Sequence, residues 1–312
     1  MANNRKFYSK TLLFGEYALI FGSPALSVPY KNRYGYFEFS ENPDTKSLQS
    51  NKALWAFLPH LKNLEDQKRL SVAFDVGRFE GDLRQGLSFK SNIPIGYGLG
   101  SSGALVAAVY DRYAVPSDVG RNYGVADLNR LKLEFSLLEA FFHGTSSGLD
   151  PLICYLQKPV LLDAHRKIKI VEYPSFSSPE KGGMFLIDSG LPGKTQPLVD
   201  YFMKQSQQAS FMKMIQQQLI PLNQQAIDCF LGARWEALLE TVKQVSVLSL
   251  QYFSPMIPDQ MKPLWRNGIE NEAYYLKLCG SGGGGMMLGF TSDLSNAARL
   301  LNAYAFSIIQ FI

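Results

Sequence analysis

The stretch Pro94-Ile95-Gly96-Tyr97-Gly98-Leu99-Gly100-Ser101-Ser102-Gly103-Ala104 constrains this chain more than any other. It lies between a strand predicted over Gly86 to Ile93 and a run from Ala104 to Val115 that holds neither Gly nor Pro, which reads as a buried helix. A Gly-rich loop feeding a helix start is an anion site. The glycines let the backbone approach closely, the first-turn N–H groups lack intrahelical partners, and the helix dipole adds positive potential, so phosphate is the natural guest.

Spelling alone leaves the kind of phosphate loop open. Gly98 to Gly103 fits the dinucleotide pattern G-x-G-x-x-G, but no acidic residue ends a second strand about twenty positions on, and the spacing recurs at Gly280 to Gly285 in a chain with 26 glycines. Asp188 to Thr195 nearly spells a Walker A loop. There, aspartate stands where the first glycine should be and would repel phosphate.

With 312 residues, 46% hydrophobic and 19% charged, the chain can bury a large core, and its length favours two domains. A boundary is expected near 178, giving domains 1–178 and 179–312. No apolar stretch reaches the about 18 residues of a membrane span and no signal-peptide core opens the chain, so the expectation is a cytoplasmic protein, monomer or homodimer. Net charge of +4 argues against nucleic acid and for an anionic small-molecule substrate. Cys154, Cys229 and Cys279 read as core thiols. Three histidines are too few for a multi-histidine metal centre, which leaves acid–base chemistry to carboxylates or lysine.

Three further places carry chemistry. Lys10 and Glu16 are charges embedded in an apolar strand-and-turn series, where a lone Lys usually marks a solvated edge. A helix is predicted over Ala126 to Phe142, with Glu139 beside its apolar stripe, the usual place of a rim carboxylate. In His143-Gly144-Thr145-Ser146-Ser147-Gly148-Leu149-Asp150-Pro151, the Asp-Pro pair spells a helix N-cap followed by proline at the first helical position. The second half reads as helices over 197–253, then strands Tyr274 to Leu278 and Met286 to Phe290 and a helix from Leu294, hence an α+β fold.

Taken together, these loops resemble the GHMP kinase family, mevalonate kinase branch. Lys10-Thr11-Leu12-Leu13-Phe14-Gly15-Glu16 is similar to its first motif, Pro94 to Ala104 to its phosphate loop, and Lys277 to Gly285 to its third motif; His143 to Asp150 is similar to the loop that carries the branch's catalytic aspartate. The resemblance implies a ribosomal protein S5 domain 2-like N-terminal domain for ATP binding and catalysis, a ferredoxin-like C-terminal domain, and ATP and Mg2+ as cofactors. It implies Asp150 and Lys10 as catalytic residues and Ser102 and Glu139 as metal ligands. Gly96, Gly98, Leu99, Gly100, Ser101, Ser102, Gly103, Gly280, Ser281 and Gly282 would hold the nucleotide, and Glu16, Tyr17, His143 and Thr195 the acceptor, with Lys194 on the same side. The expected reaction is phosphorylation of an alcohol hydroxyl, mevalonate first. Phosphomevalonate, homoserine and sugar kinase activities remain alternatives, as does a regulatory nucleotide-binding protein without turnover. Tyr17, where the branch has histidine, and Pro151, where it has asparagine, bear on the acceptor.

Overall fold

The computed structural model describes residues 5–115, 123–176, 182–193 and 195–309. The chain runs β1 (Phe7–Phe14), β2 (Ala25–Phe39), α1 (Thr45–Asp66), β3 (Ala73–Phe74), α2 (Val76–Arg84), β4 (Leu87–Ser91), α3 (Ser101–Tyr113), β5 (Ala114–Val115), α4 (Val125–His143) and α5 (Leu149–Leu156). It continues through β6 (Val160–Leu162), β7 (Ile168–Ile170), β8 (Gly183–Asp188), α6 (Thr195–Ser206), α7 (Ala209–Met214), α8 (Ile220–Leu231), α9 (Trp235–Tyr252) and α10 (Lys262–Glu270). β9 (Tyr275–Leu278), β10 (Met286–Thr291), α11 (Leu294–Leu300) and β11 (Phe306–Ile309) close it.

Two compact units are present, and both are discontinuous in sequence. Residues 1–10, 29–94 and 99–158 form one, and residues 11–28, 95–98 and 159–312 the other. The expected boundary at 178 divides the chain at a single point, whereas β1, β2 and the Gly-rich loop each pass from one unit to the other.

In the first unit, β2 pairs antiparallel with β4 from Gly35↔Ser91 to Phe39↔Leu87. Helix α1 starts where the Asp44 carboxylate accepts the Ser47 N–H at 2.7 Å. The helices bury their apolar stripes against one another, with Phe57, Leu61, Phe79, Val106, Tyr110, Leu131, Phe135 and Leu138 all within 1% of full burial. Such burial is worth about 1.5–3 kcal/mol for each large side chain, before the conformational entropy that opposes it.

In the second unit, a four-stranded sheet has the order β11-β8-β10-β9. Numbered within the unit's last half, that is 4-1-3-2, an antiparallel ferredoxin-like order. β10 lies centrally with every residue buried, and pairs with β8 from Met286↔Asp188 to Thr291↔Gly183 and with β9 on its other side. Tyr17, Phe185, Phe202, Phe253, Met256, Trp265 and Tyr274 belong to the core on this sheet. All three cysteines are buried thiols outside any disulfide, as their apolar settings implied. No helix of the described residues is long and apolar enough to cross a membrane.

Candidate active site

Helix α3 begins at Gly100, which sits at φ 74°, ψ 42° with no side chain capping the first turn. A Cβ at Gly100 would lie 3.0 Å from Lys10 Cγ, and one at Gly103 would lie 2.9 Å from the Asp150 carbonyl carbon and the Pro151 nitrogen. Only glycine lets α3 approach β1 and α5 this closely. The Lys10 N–H then donates to Leu99 O at 3.0 Å. One small-residue loop thus gathers β1, α3 and the start of α5.

Lys10 Nζ lies 3.0 Å from Asp150 Oδ2. Lys10 is 7% exposed, so the solvated-edge reading is replaced by a buried ammonium aimed at a carboxylate. The N-cap expectation for Asp150 also changes. Gly148, at φ 72°, holds the cap position and its carbonyl accepts the Leu152 N–H at 3.2 Å, which places Asp150 inside the first turn and Pro151 after it. The left-handed backbone that glycine permits shifts the helix start two residues earlier, and the Asp150 carboxylate is left for Lys10.

Glu139 departs from the rim reading as well, since it is 5% exposed. Its Oε1 accepts from Ser102 Oγ at 2.8 Å and its Oε2 from Ser146 Oγ at 2.5 Å. Ser102 Oγ is also 3.0 Å from His143 Nε2. A hydroxyl has one proton, so with that proton on Glu139 the imidazole Nε2–H is the donor to Ser102. Burial, and next the charge of Asp150, push the Glu139 carboxyl up, while the Ser146 and Ser102 hydroxyls and His143 pull it down. The first unit therefore brings together Leu99, Gly100, Ser101, Ser102, Gly103, Lys10, Glu139, His143 and Asp150.

The other candidates lie in the second unit. The Gly193 N–H donates to Gly96 O at 2.9 Å, the Gly285 N–H to Leu191 O at 2.6 Å and the Gly283 N–H to Met256 O at 2.6 Å, so the segments at 96, 189–193 and 280–285 form one cluster of backbone loops. A Cβ at Gly284 would lie 2.6 Å from the Leu191 and Pro192 carbonyl oxygens, so packing alone accounts for that glycine. Gly280 has open space beside it. Tyr17 Oη donates to Ser281 O at 2.6 Å, and its ring centroid lies 4.4 Å from that of Phe202. Glu16 Oε1 accepts from Lys277 Nζ at 2.5 Å. Burial pushes the Glu16 carboxyl up against the opposing influence of Lys277. A cavity of about 30 Å³, enough for little more than one water, is lined by Glu16, Tyr17, Asn223, Ser249 and Lys277 among apolar side chains. Asp188 accepts the Gly190 N–H at 2.7 Å, which occupies a donor that a Walker loop would offer to phosphate. Thr195 opens α6, but its side chain and all of Lys194 lie outside the described residues.

Sequence reasoning missed Ser146 and Lys277. Lys277 carried a usable signal, because it and Glu16 are isolated opposite charges in apolar surroundings, and burial makes such charges pair. Ser146 carried none, since one serine in a small-residue loop is ordinary.

Residues 61–158, which hold the loop at 96–103, Glu139 and Asp150, match the family described as GHMP kinases N terminal domain. Over those residues the chain carries a GHMP kinases N terminal domain. Among curated relatives, it is 24% identical to a mevalonate kinase of Archaeoglobus fulgidus over 284 residues, 90% of this chain and 89% of that protein. It is 28% identical to a mevalonate kinase of Pyrococcus horikoshii over 161 residues, 46% of each, so the chain spans about half the length of that relative. Its fold is similar to the crystal structure of L. major mevalonate kinase in complex with R-mevalonate, with TM-score 0.69 and 16% identity over 99% of this chain and 96% of that one. The α+β, two-domain GHMP kinase fold implied by the motifs is the fold observed.

Proposed function

We propose that this chain is a GHMP kinase that transfers the γ-phosphoryl group of ATP to an alcohol hydroxyl, with mevalonate the leading acceptor and the cytoplasm its place of action. The observation that carries the proposal is the Lys10 Nζ to Asp150 Oδ2 contact of 3.0 Å, beside the hydroxyls of the α3 N-terminus. Phosphoryl transfer is mostly positioning and charge neutralisation. Asp150 stands at the nucleophilic hydroxyl in this reading, holding or taking its proton. Lys10 pairs with that carboxylate and offsets transferring negative charge. In the first unit, Leu99, Gly100, Ser101, Ser102 and Gly103 would hold the nucleotide's phosphates at the α3 N-terminus.

The donor set fits Mg2+. Ser102 Oγ and Glu139 would supply oxygen ligands, and the buried Glu139 carboxyl, pushed up by burial and by the charge of Asp150, would gain from an added cation. Among the described residues no three His, Cys, Asp or Glu form a metal cluster, in keeping with a cation held by one carboxylate plus substrate phosphates. When bound, Mg2+ supplies charge neutralisation at the phosphates.

A second reading concerns the acceptor. The Glu16 carboxylate and the Tyr17 hydroxyl already have partners in Lys277 and Ser281, so neither singles out mevalonate, and phosphomevalonate, homoserine or a sugar is the alternative acceptor. Release of ADP against a panel of these alcohols decides between them. The regulatory reading gains if ATP binds and no alcohol stimulates release.

A further inference from the structure

Ser146 lies in the loop between α4 and α5, and no role in the reaction has been given to it so far. Its hydroxyl donates to Glu139 Oε2 at 2.5 Å and accepts the Gly148 N–H at 3.0 Å. Its carbonyl accepts from Ser136 Oγ on α4 at 2.6 Å. Because Gly148 donates into the hydroxyl, the single Ser146 proton is directed at Glu139. The other carboxylate oxygen receives Ser102 Oγ at 2.8 Å. Two serines on different elements therefore hold the two oxygens of one buried carboxylate, and a charge-assisted bond at each oxygen fixes the rotation of its plane.

We propose that Ser146 is a positioning residue for cation binding, which aims the Glu139 carboxylate and ties it to the loop that carries Asp150. The inference rests on the reading of Ser102 and Glu139 as the cation's ligands. Ser146 sits four residues before Asp150, and Gly148, which Ser146 bonds, is the residue that caps α5. The turn that sets the Asp150 position and the bond that sets the Glu139 orientation thus share one oxygen atom. A side chain that only closed the turn would need no contact with Glu139. A side chain that only oriented Glu139 would need none with Gly148.

The test uses Mn2+ as a paramagnetic probe, titrated into the enzyme with ATP and no acceptor and followed by electron paramagnetic resonance. Partners that orient a metal ligand typically contribute about 10–100-fold in metal affinity. Ser146→Ala is expected to weaken Mn2+ by about that factor while metal-free ATP affinity holds, and Ser146→Thr, which keeps the hydroxyl, to recover most of it. Ser136→Ala loosens the same loop without touching Glu139 and is expected to leave Mn2+ affinity unchanged. Ser146→Cys, near-isosteric and a weak donor, gives the same comparison if alanine costs folding. Wild-type Mn2+ affinity in Ser146→Ala, or an equal loss in Ser136→Ala, overturns the inference. Glu139→Gln separates the two levels. If it loses Mn2+ while Ser146→Ala does not, only the positioning role is wrong; if it keeps Mn2+, the ligand reading is wrong and the positioning role goes with it.

Discussion

Asp150→Asn separates chemistry from folding more cleanly than any other substitution here. Gly148 caps α5, so the variant removes no cap. What it removes is one charge of a pair whose side chains are 9% exposed at Lys10 and 37% at Asp150. Solvent screens the more exposed partner, which sets the stability cost at about 1 kcal/mol or less, or about 2–4 °C in Tm. Asparagine keeps an acceptor oxygen for Lys10, which lowers the cost further. The rate is a different matter, because asparagine can neither take the acceptor's proton nor hold charge beside it. Loss of a general base typically costs about two to four orders of magnitude, or about 3–5 kcal/mol of transition-state stabilisation. Turnover by coupled ADP release, ATP affinity by calorimetry and Tm by scanning calorimetry are the three readouts. The first is expected to collapse while the others barely move. Lys10→Met is expected to give a related loss, and the double variant far less than the sum, as for groups that act as a unit. A folded Asp150→Asn enzyme with wild-type turnover, or full additivity with Lys10→Met, refutes the reasoning.

Ser102→Ala and Glu139→Gln are expected to lose activity through the metal, each removing an oxygen ligand, with raised Mg2+ partly rescuing the serine variant; unchanged rate and Mg2+ dependence in both would contradict the assignment. Lys277→Met leaves Glu16 buried without its cation and is expected to cost about 3–5 kcal/mol by urea denaturation near neutrality. Burial already holds the Glu16 carboxyl above its ordinary value and loss of Lys277 raises it further. A carboxyl raised in the folded state binds protons more tightly there, so stability falls as pH rises through that window. The variant is therefore expected to regain stability toward pH of about 5, and an equal deficit at acid and neutral pH would contradict the pairing.

Local signals carried far in this chain. The helix after the Gly-rich loop, the amphipathic helix that holds Glu139 and the helices after 195 are written in apolar spacing, and α3 and α4 fall within a few residues of their expected limits. The family motifs placed Lys10, Ser102, Glu139 and Asp150 together, and their side chains meet in the first unit. What failed depended on contacts distant in sequence or on backbone conformation. Asp150-Pro151 spells a cap, yet a glycine two positions earlier can adopt the left-handed conformation and take that place. Glu16 and Lys277 pair across 261 positions, so although each stands out as a lone charge in an apolar segment, the fold alone brings the two together. β11 was not expected, because Phe306 to Ile309 is short and lies on the edge of a sheet whose register is set by β8. The discontinuous units arise because β1, β2 and the Gly-rich loop each serve both, which no composition shift marks.

The most direct test of the central claim is Mg2+-dependent ADP release by the wild-type chain with mevalonate, with the product followed by 31P NMR. The expected result is ADP formed one-for-one with a new phosphate monoester on the acceptor, and neither product without Mg2+. ATP binding with no phosphate ester from mevalonate or from any alcohol of the panel would contradict it.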